Sequence, residues 1–267
     1  MTAMTATPPA RTALRVTTAR VAASEWTKFW SLRSTVATLA VGVALLVGLG
    51  LLATAIAGGD GGPGDGGPQS PVDMSLAGMG FAQLAFGTLG VLFMAGEYST
   101  GMIRSSLAAV PARLPVLWAK IAVFAAVSFV VGLAAAVIAF TGGQLIAGDA
   151  GASWSDPGVA RAVIGTAVVV AGSGVLGIGL GALLRSTPAA TSTLFGVMFL
   201  LSGIAVLLLP ESWSDVALYL PADAARAFVT AVPQAGGLAP WTGLAVFVAY
   251  IAATVAAAAW RLKRTDA

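Results

Sequence analysis

Six apolar runs limit what this chain can become. Each is about as long as a helix needs to cross a bilayer, and none carries a charge near its middle. They span Thr35 to Ala57, Met74 to Ala95, Val116 to about Ile146, Gly158 to Leu184, Ala189 to Leu209 and Trp241 to Trp260. Lys120 stands close to the start of the third and Arg161 near the start of the fourth. Of the 267 residues, 58% are hydrophobic and 9% charged, and the mean hydropathy is +0.91. Water-soluble domains carry about 25% charged residues, so this chain lacks the polar surface a soluble fold requires. The expected fold is all-α, with six transmembrane helices. Prolines agree with the limits: Asp156-Pro157 and Thr187-Pro188 each offer a cap and a first-turn proline, Pro115 can open the third helix and Pro210 can close the fifth.

Charge orients the bundle. Twelve of the 14 basic residues fall on one side: Arg11, Arg15, Arg20, Lys28 and Arg33 before the first span, Arg104, Arg113 and Lys120 around the second loop, Arg185, and Arg261, Lys263 and Arg264 at the end. Arg161 and Arg226 fall on the other side, with Asp60, Asp65, Asp73, Asp149, Asp156, Glu211, Asp215 and Asp223. The positive-inside rule then predicts a multi-pass protein of the cell membrane with both termini in the cytoplasm. The N-terminus does not read as a secretory signal, because residues 1–34 are polar or mixed before the first apolar run. The organisation expected is a cytoplasmic segment 1–34, a six-span domain 35–260 and a cytoplasmic tail 261–267.

Three segments outside the spans carry information. Residues 10–33 read as an amphipathic interfacial helix, with Ala22, Trp26, Phe29, Trp30 and Arg33 on one face and Lys28 elsewhere. Gly58 to Pro71 reads as a flexible outer loop. Glu211 to Ala239 mixes apolar and polar residues and predicts one or two small helices lying on the outer surface. Trp26, Trp30, Trp118, Trp241 and Trp260 sit near span ends, where tryptophan anchors a helix at the membrane interface.

Catalytic chemistry is hard to assemble. The chain has no cysteine and no histidine, so thiol nucleophiles, imidazole bases and the usual zinc sites are excluded. No glycine loop precedes Lys28, Lys120 or Lys263 in the pattern of a P-loop, so the chain cannot bind ATP by such a loop of its own. The spans offer neutral polar groups such as Gln83, Thr88 and Ser173 but no carboxylate, which argues against ion coupling and against intramembrane aspartyl chemistry. No metal site, cofactor or nucleic-acid surface is expected in this chain.

Two local features remain. Glu97 lies at the basic end of the second span, and Arg104 follows it on a similar helical face. One reading is a solvated helix end with a surface ion pair of little energy; the other is a rigid element on which a partner acts. Ser173, Gly177 and Gly181 recur every four residues in the fourth span, a row of small residues suited to close helix packing, within the chain or between copies.

The stretches SEWTKFWSLRST (24–35), FMAGEYSTGMIRSSLAAVPARLPVLWAK (93–120) and YLPADA (219–224) resemble, in order, segments of actinobacterial type-2 ABC exporter permeases. The resemblance implies a type-2 transmembrane domain that is one half of a pair, identical or not. It also implies two separate ATPase subunits that bind ATP and magnesium and dock on the cytoplasmic face. The docking surface carried over is Glu25 to Arg33 with Glu97 to Arg113, naming Glu25, Lys28, Arg33, Glu97, Gly101, Arg104 and Arg113. The expected function is export of an amphipathic or hydrophobic substrate (a drug, an antibiotic, a lipid-linked molecule or a small peptide). The alternatives are an ATP-independent transporter and a membrane scaffold or assembly protein.

Overall fold

The structure, a computed structural model, describes residues 17–57, 70–103, 114–208, 210, 214–233 and 236–264. Among the described residues it is helical, with no strand, and it has six helices long and apolar enough to cross a membrane. Helix α1 is Thr18–Ser31 and α2 is Arg33–Ala57. A short α3, Pro71–Ser75, leads into α4, Met79–Ser99. Helix α5 is Leu114–Ala147, extended by a 3-10 turn Gly148–Ala150, and α6 is Val159–Leu184. The fifth span is composite: α7, Thr187–Phe195, a π-helical turn Gly196–Leu200, and α8, Leu201–Leu208. Two short helices follow, α9 at Ser214–Ala217 and α10 at Pro221–Val229, and α11, Pro240–Arg264, is the last span.

Local sequence explains most of these limits, with five differences from expectation. The second span does not start at Met74. Gly78 lies against the backbone of Leu45 and Leu46, where a side chain would clash, and the chain turns there between α3 and α4. At its other end α4 runs four residues past Ala95, so Glu97 is helical. Asp156 does not cap the fourth span: its carboxylate accepts the Ser153 amide at 2.8 Å, and Gly158, at φ 88°, supplies the left-handed turn into α6. Ser186 rather than Thr187 takes the N-cap position of the fifth span, without a side-chain capping bond. The sixth span continues through Arg264, which puts Arg261, Lys263 and Arg264 in its last turn, where cations meet the negative end of the helix dipole. Of Gly58 to Pro71, expected as an outer loop, residues 58–69 lie outside the described residues and Pro71 opens α3.

Helix α6 is the axis of the bundle. In its most apolar stretch 72% of the residues are buried, against 67% for the second span and 33% or less for the other four. It touches α4, α5, α7, α10 and α11. Without a hydrophobic force between helices in lipid, close contact depends on small residues. A Cβ on Gly177 would overlap the carbonyl of Gly87, and one on Gly90 would overlap the carbonyl of Gly174. Gly181 faces the backbone of Ala95, where a Cβ would lie 3.2 Å from its nitrogen. Ser173 is fully buried and donates to the Val169 carbonyl at 2.8 Å. The glycines of this row therefore serve α4 of the same chain.

The bundle has two ends. The basal end gathers α1, the ends of α4, α6 and α11, and the starts of α2, α5 and α7. There Arg185 lies over the Tyr98 ring at 5.3 Å, and Arg261 donates to the carbonyl of Leu183 at the end of α6. At the distal end, Gln144 donates to the Ser75 hydroxyl at 2.7 Å. Segment 214–229 does not simply lie on the outer surface: Pro221, Ala224, Ala225, Phe228 and Val229 of α10 are buried against α6 and α11. Arg161 holds it there, donating to the carbonyls of Phe228, Thr230 and Ala231, and Asp73 accepts the Ala231 amide at 3.0 Å. All five interface tryptophans of the sequence are exposed, from 43% at Trp30 to 69% at Trp241.

Gly177→Val is expected to destabilise the protein by about 1–3 kcal/mol or more, because a backbone carbonyl cannot yield as a side chain can. Gly96→Ala, where a Cβ meets nothing within 4 Å, is expected to be neutral or to stabilise by up to about 1 kcal/mol. Thermal unfolding of both variants in one detergent checks the pair.

Candidate functional site

Helix α1 docks on the bundle through a stripe at four-residue spacing. Val21, Glu25 and Phe29 are buried, whereas Trp26 and Trp30 point away and are 51% and 43% exposed. Of the expected interfacial face, Trp26, Trp30 and Arg33 are exposed, Ala22 is half-buried and Phe29 is buried; the docking stripe turns toward α5, with Val21 against Val116 and Ala119. The reason lies at Glu25, a carboxylate that turns inward because two lysines await it.

Four charges from three helices meet there. Glu25 Oε1 accepts Lys28 Nζ at 2.6 Å, and its Oε2 accepts Lys120 Nζ at 2.5 Å. Glu97 Oε1 accepts both ammonium groups, Lys120 at 2.8 Å and Lys28 at 3.0 Å. The four side chains form a closed ring of alternating sign with no net charge. Lys120 is completely buried, Glu25 is 1% exposed and Glu97 4%. The ring is roofed by aromatic side chains. Lys120 Nζ lies 4.0 Å from the centroid of the Phe93 ring, a cation–π contact. Phe29 meets Phe93 edge-on at 5.3 Å and Phe124 at 6.0 Å. With Glu25, Glu97 and Lys120 buried and Lys28 partly exposed, the ring ties α1 to α4 and α5.

Such a ring adds less net stability than its distances suggest, because each ion loses its hydration. Its specificity is another matter. Removing one member leaves a buried charge uncompensated, which costs about 3–5 kcal/mol. Among the described residues, α4 and α5 supply the charges that meet Glu25 and Lys28, and the ring fixes where α1 sits.

The ring corrects two readings of the sequence. Glu97 is not a solvated helix end: burial on α4 directs it to Lys120 and Lys28, while Arg104 and Arg113 lie outside the described residues. The helices do hold buried carboxylates, at Glu25 and Glu97, so their absence is no argument against ion coupling. Of the other residues carried over to a docking surface, Arg33 is exposed at the start of α2, outside the ring. Gly101 is exposed and ends α4 with φ 72°, its amide bonded to the Tyr98 carbonyl at 3.3 Å, a left-handed stop that favours glycine. The member that sequence reasoning left unpartnered is Lys120, taken only as a charge near a span start. A signal was present: almost every acid lies on the distal side by charge pattern, and Glu25 and Glu97 are the exceptions beside Asp266.

Burial opposes the charge on Lys28, but its hydrogen bonds to Glu25 and Glu97 and their negative charge outweigh this and raise its pKa above the ordinary 10.5. A raised lysine pKa stabilises the fold below the unfolded value, and that contribution is lost as pH rises through the folded value. Docking of α1 is therefore expected to be flat from about pH 6 to 9 and to weaken only above the ordinary lysine value. Hydrogen exchange of α1 against pH measures this.

Lys120→Met and Glu97→Gln are each expected to lower stability by about 3–5 kcal/mol, and the double variant to lose less than the sum. Chemical unfolding of the four proteins in a double-mutant cycle gives the coupling; additive losses would mean that the two groups do not pair.

Comparison with models of known protein families finds no match to this chain, and comparison with curated proteins finds none either.

Proposed function

We propose that this chain is the membrane-spanning permease subunit of an ATP-driven exporter of the type-2 ABC class. Its basal face is cytoplasmic, two separate ATPase subunits dock there, and a second permease half completes the transporter. The chain itself carries no ATP site; ATP and magnesium belong to the partner subunits. The observation that carries this reading is the buried ring of Glu25, Lys28, Glu97 and Lys120, which joins an interfacial helix to two spans. A partner that moves α1, or the segment 104–113 that links α4 to α5, moves α4 and α5 with it, because parting them would strand buried charges. Helix α4 then transmits the displacement to α6 through their backbone contact at Gly90 and Gly177. The two states of such a device must differ in their contacts with the nucleotide-bound partner. The resemblance of 24–35 and 93–120 to exporter permeases supports the same assignment.

One observation favours a second reading. Glu97 Oε2 is buried without a hydrogen-bond partner, and an incompletely satisfied carboxylate on a span is what an ion-coupled, ATP-independent transporter would use. Against it, the ring is neutral and sits at the end of the bundle rather than at mid-depth. A membrane scaffold would need neither nucleotide nor gradient.

One preparation separates the three. Purified gently from its native host, the chain is expected to bring a P-loop ATPase subunit in equal proportion. Export in proteoliposomes should require ATP, and Lys28→Met should lower it at least tenfold while the ATPase still co-purifies. Transport driven by an ion gradient without an ATPase would establish the second reading. A preparation with neither partner nor transport would leave the scaffold.

A further inference from the structure

At the distal end, a cavity of about 500 Å³ opens between the start of α4, the π-helical turn of the fifth span and α10. That size is within the range of small-molecule sites. Gln83 lines it, only 5% exposed, and its Nε2 has no hydrogen-bond partner. The Ser202 hydroxyl, also in the lining, is likewise buried and unpartnered. A buried donor left unmade costs about 1–3 kcal/mol, so folding gives no reason for an amide at position 83. Met198 and Phe199, carried by the π-helical turn, a rare helix geometry found often at functional sites, join Leu76, Met79, Phe81 and Val229 in the apolar part of the wall. Asp223 and Arg226 of α10 bring opposite charges to the lining. Asp73, also in the wall, is already engaged by Ser70 and the Ala231 amide.

The geometry points to a binding site for an amphiphile that is neutral or zwitterionic and carries an amide or similar carbonyl, as a hydrophobic peptide does. Gln83 Nε2 can only donate, so the ligand supplies an oxygen. The Ser202 hydroxyl takes a donor or an acceptor. Phe199 and Met198 cover the apolar part. Asp223 and Arg226 together carry no net charge, so they match the two ends of a zwitterion or of a dipolar neutral group. Binding belongs to this chain alone; that the bound molecule is also the exported one rests on the export reading above.

The test uses the full chain in nanodiscs, without any ATPase, titrated with dansylated leucyl-phenylalanine amide and read by fluorescence against empty nanodiscs. Saturable binding is expected, with at least tenfold weaker binding of dansyl-decylamine, which lacks the carbonyls. Gln83→Leu should weaken binding of the peptide amide about tenfold while raising the thermal unfolding midpoint, since it removes an unmade donor. Gly80→Leu should abolish saturable binding, because a Cβ there meets only the Phe199 ring at 4.0 Å and the rest of the side chain fills the cavity. No signal above empty nanodiscs, equal affinity for the two probes, or equal affinity of Gln83→Leu and the unaltered chain would overturn the assignment. Saturable binding by a chain that never acquires an ATPase would keep the site and refute the exporter.

Discussion

An ammonium group withdrawn from water must meet a carboxylate, and this requirement organises the basal end of the protein. Lys120 has no exposed surface, and hydrocarbon offers nothing to replace its hydration. Glu97 reaches it from α4 and Glu25 from α1, and Lys28 balances the second negative charge. The consequence is geometric more than energetic. A helix that could lie anywhere on a membrane surface is held at one place and one rotation, with its tryptophans turned outward. An aromatic layer of Phe29, Phe93 and Phe124 keeps water away and so keeps the ring strong.

The middle of the bundle follows a different rule. Lipid is as apolar as leucine, so α4 and α6 approach through missing side chains instead of through hydrophobic attraction. Glycines alternate across their contact: a side chain on Gly90 would meet the Gly174 backbone and one on Gly177 the Gly87 backbone, while Gly87 and Gly174 leave room for Leu194 and Phe124. A contact of this kind is stiff. Coupled to the ring at the end of α4, it makes a continuous rigid path from α1 to the centre of the bundle, the property a mechanically driven membrane subunit requires.

The distal end is held by Arg161, whose three carbonyl contacts and the neighbouring Asp73 keep α10 folded back against α6. Gln83 and Ser202 at that end are buried without partners and face a cavity that Asp223 and Arg226 also line. Rigid coupling at one end and unspent hydrogen bonds at the other place the two kinds of chemistry about a span apart.

Six spans, their limits to within a few residues, and the presence of an amphipathic helix before the first were legible in the sequence, because length and hydropathy act locally along a chain. So was the glycine row, through its four-residue period. The buried face of α1 was not. Its tryptophans and phenylalanine outweigh one glutamate in any local count of polarity, and only the distant Lys120 makes burial of Glu25 favourable. The pairing of Glu97 with lysines 69 and 23 positions away is likewise a tertiary decision. The folding of α10 into the bundle depended on Arg161 in the same way. Hydropathy reports what each segment does against lipid; which charges are buried together depends on helices that the sequence places far apart.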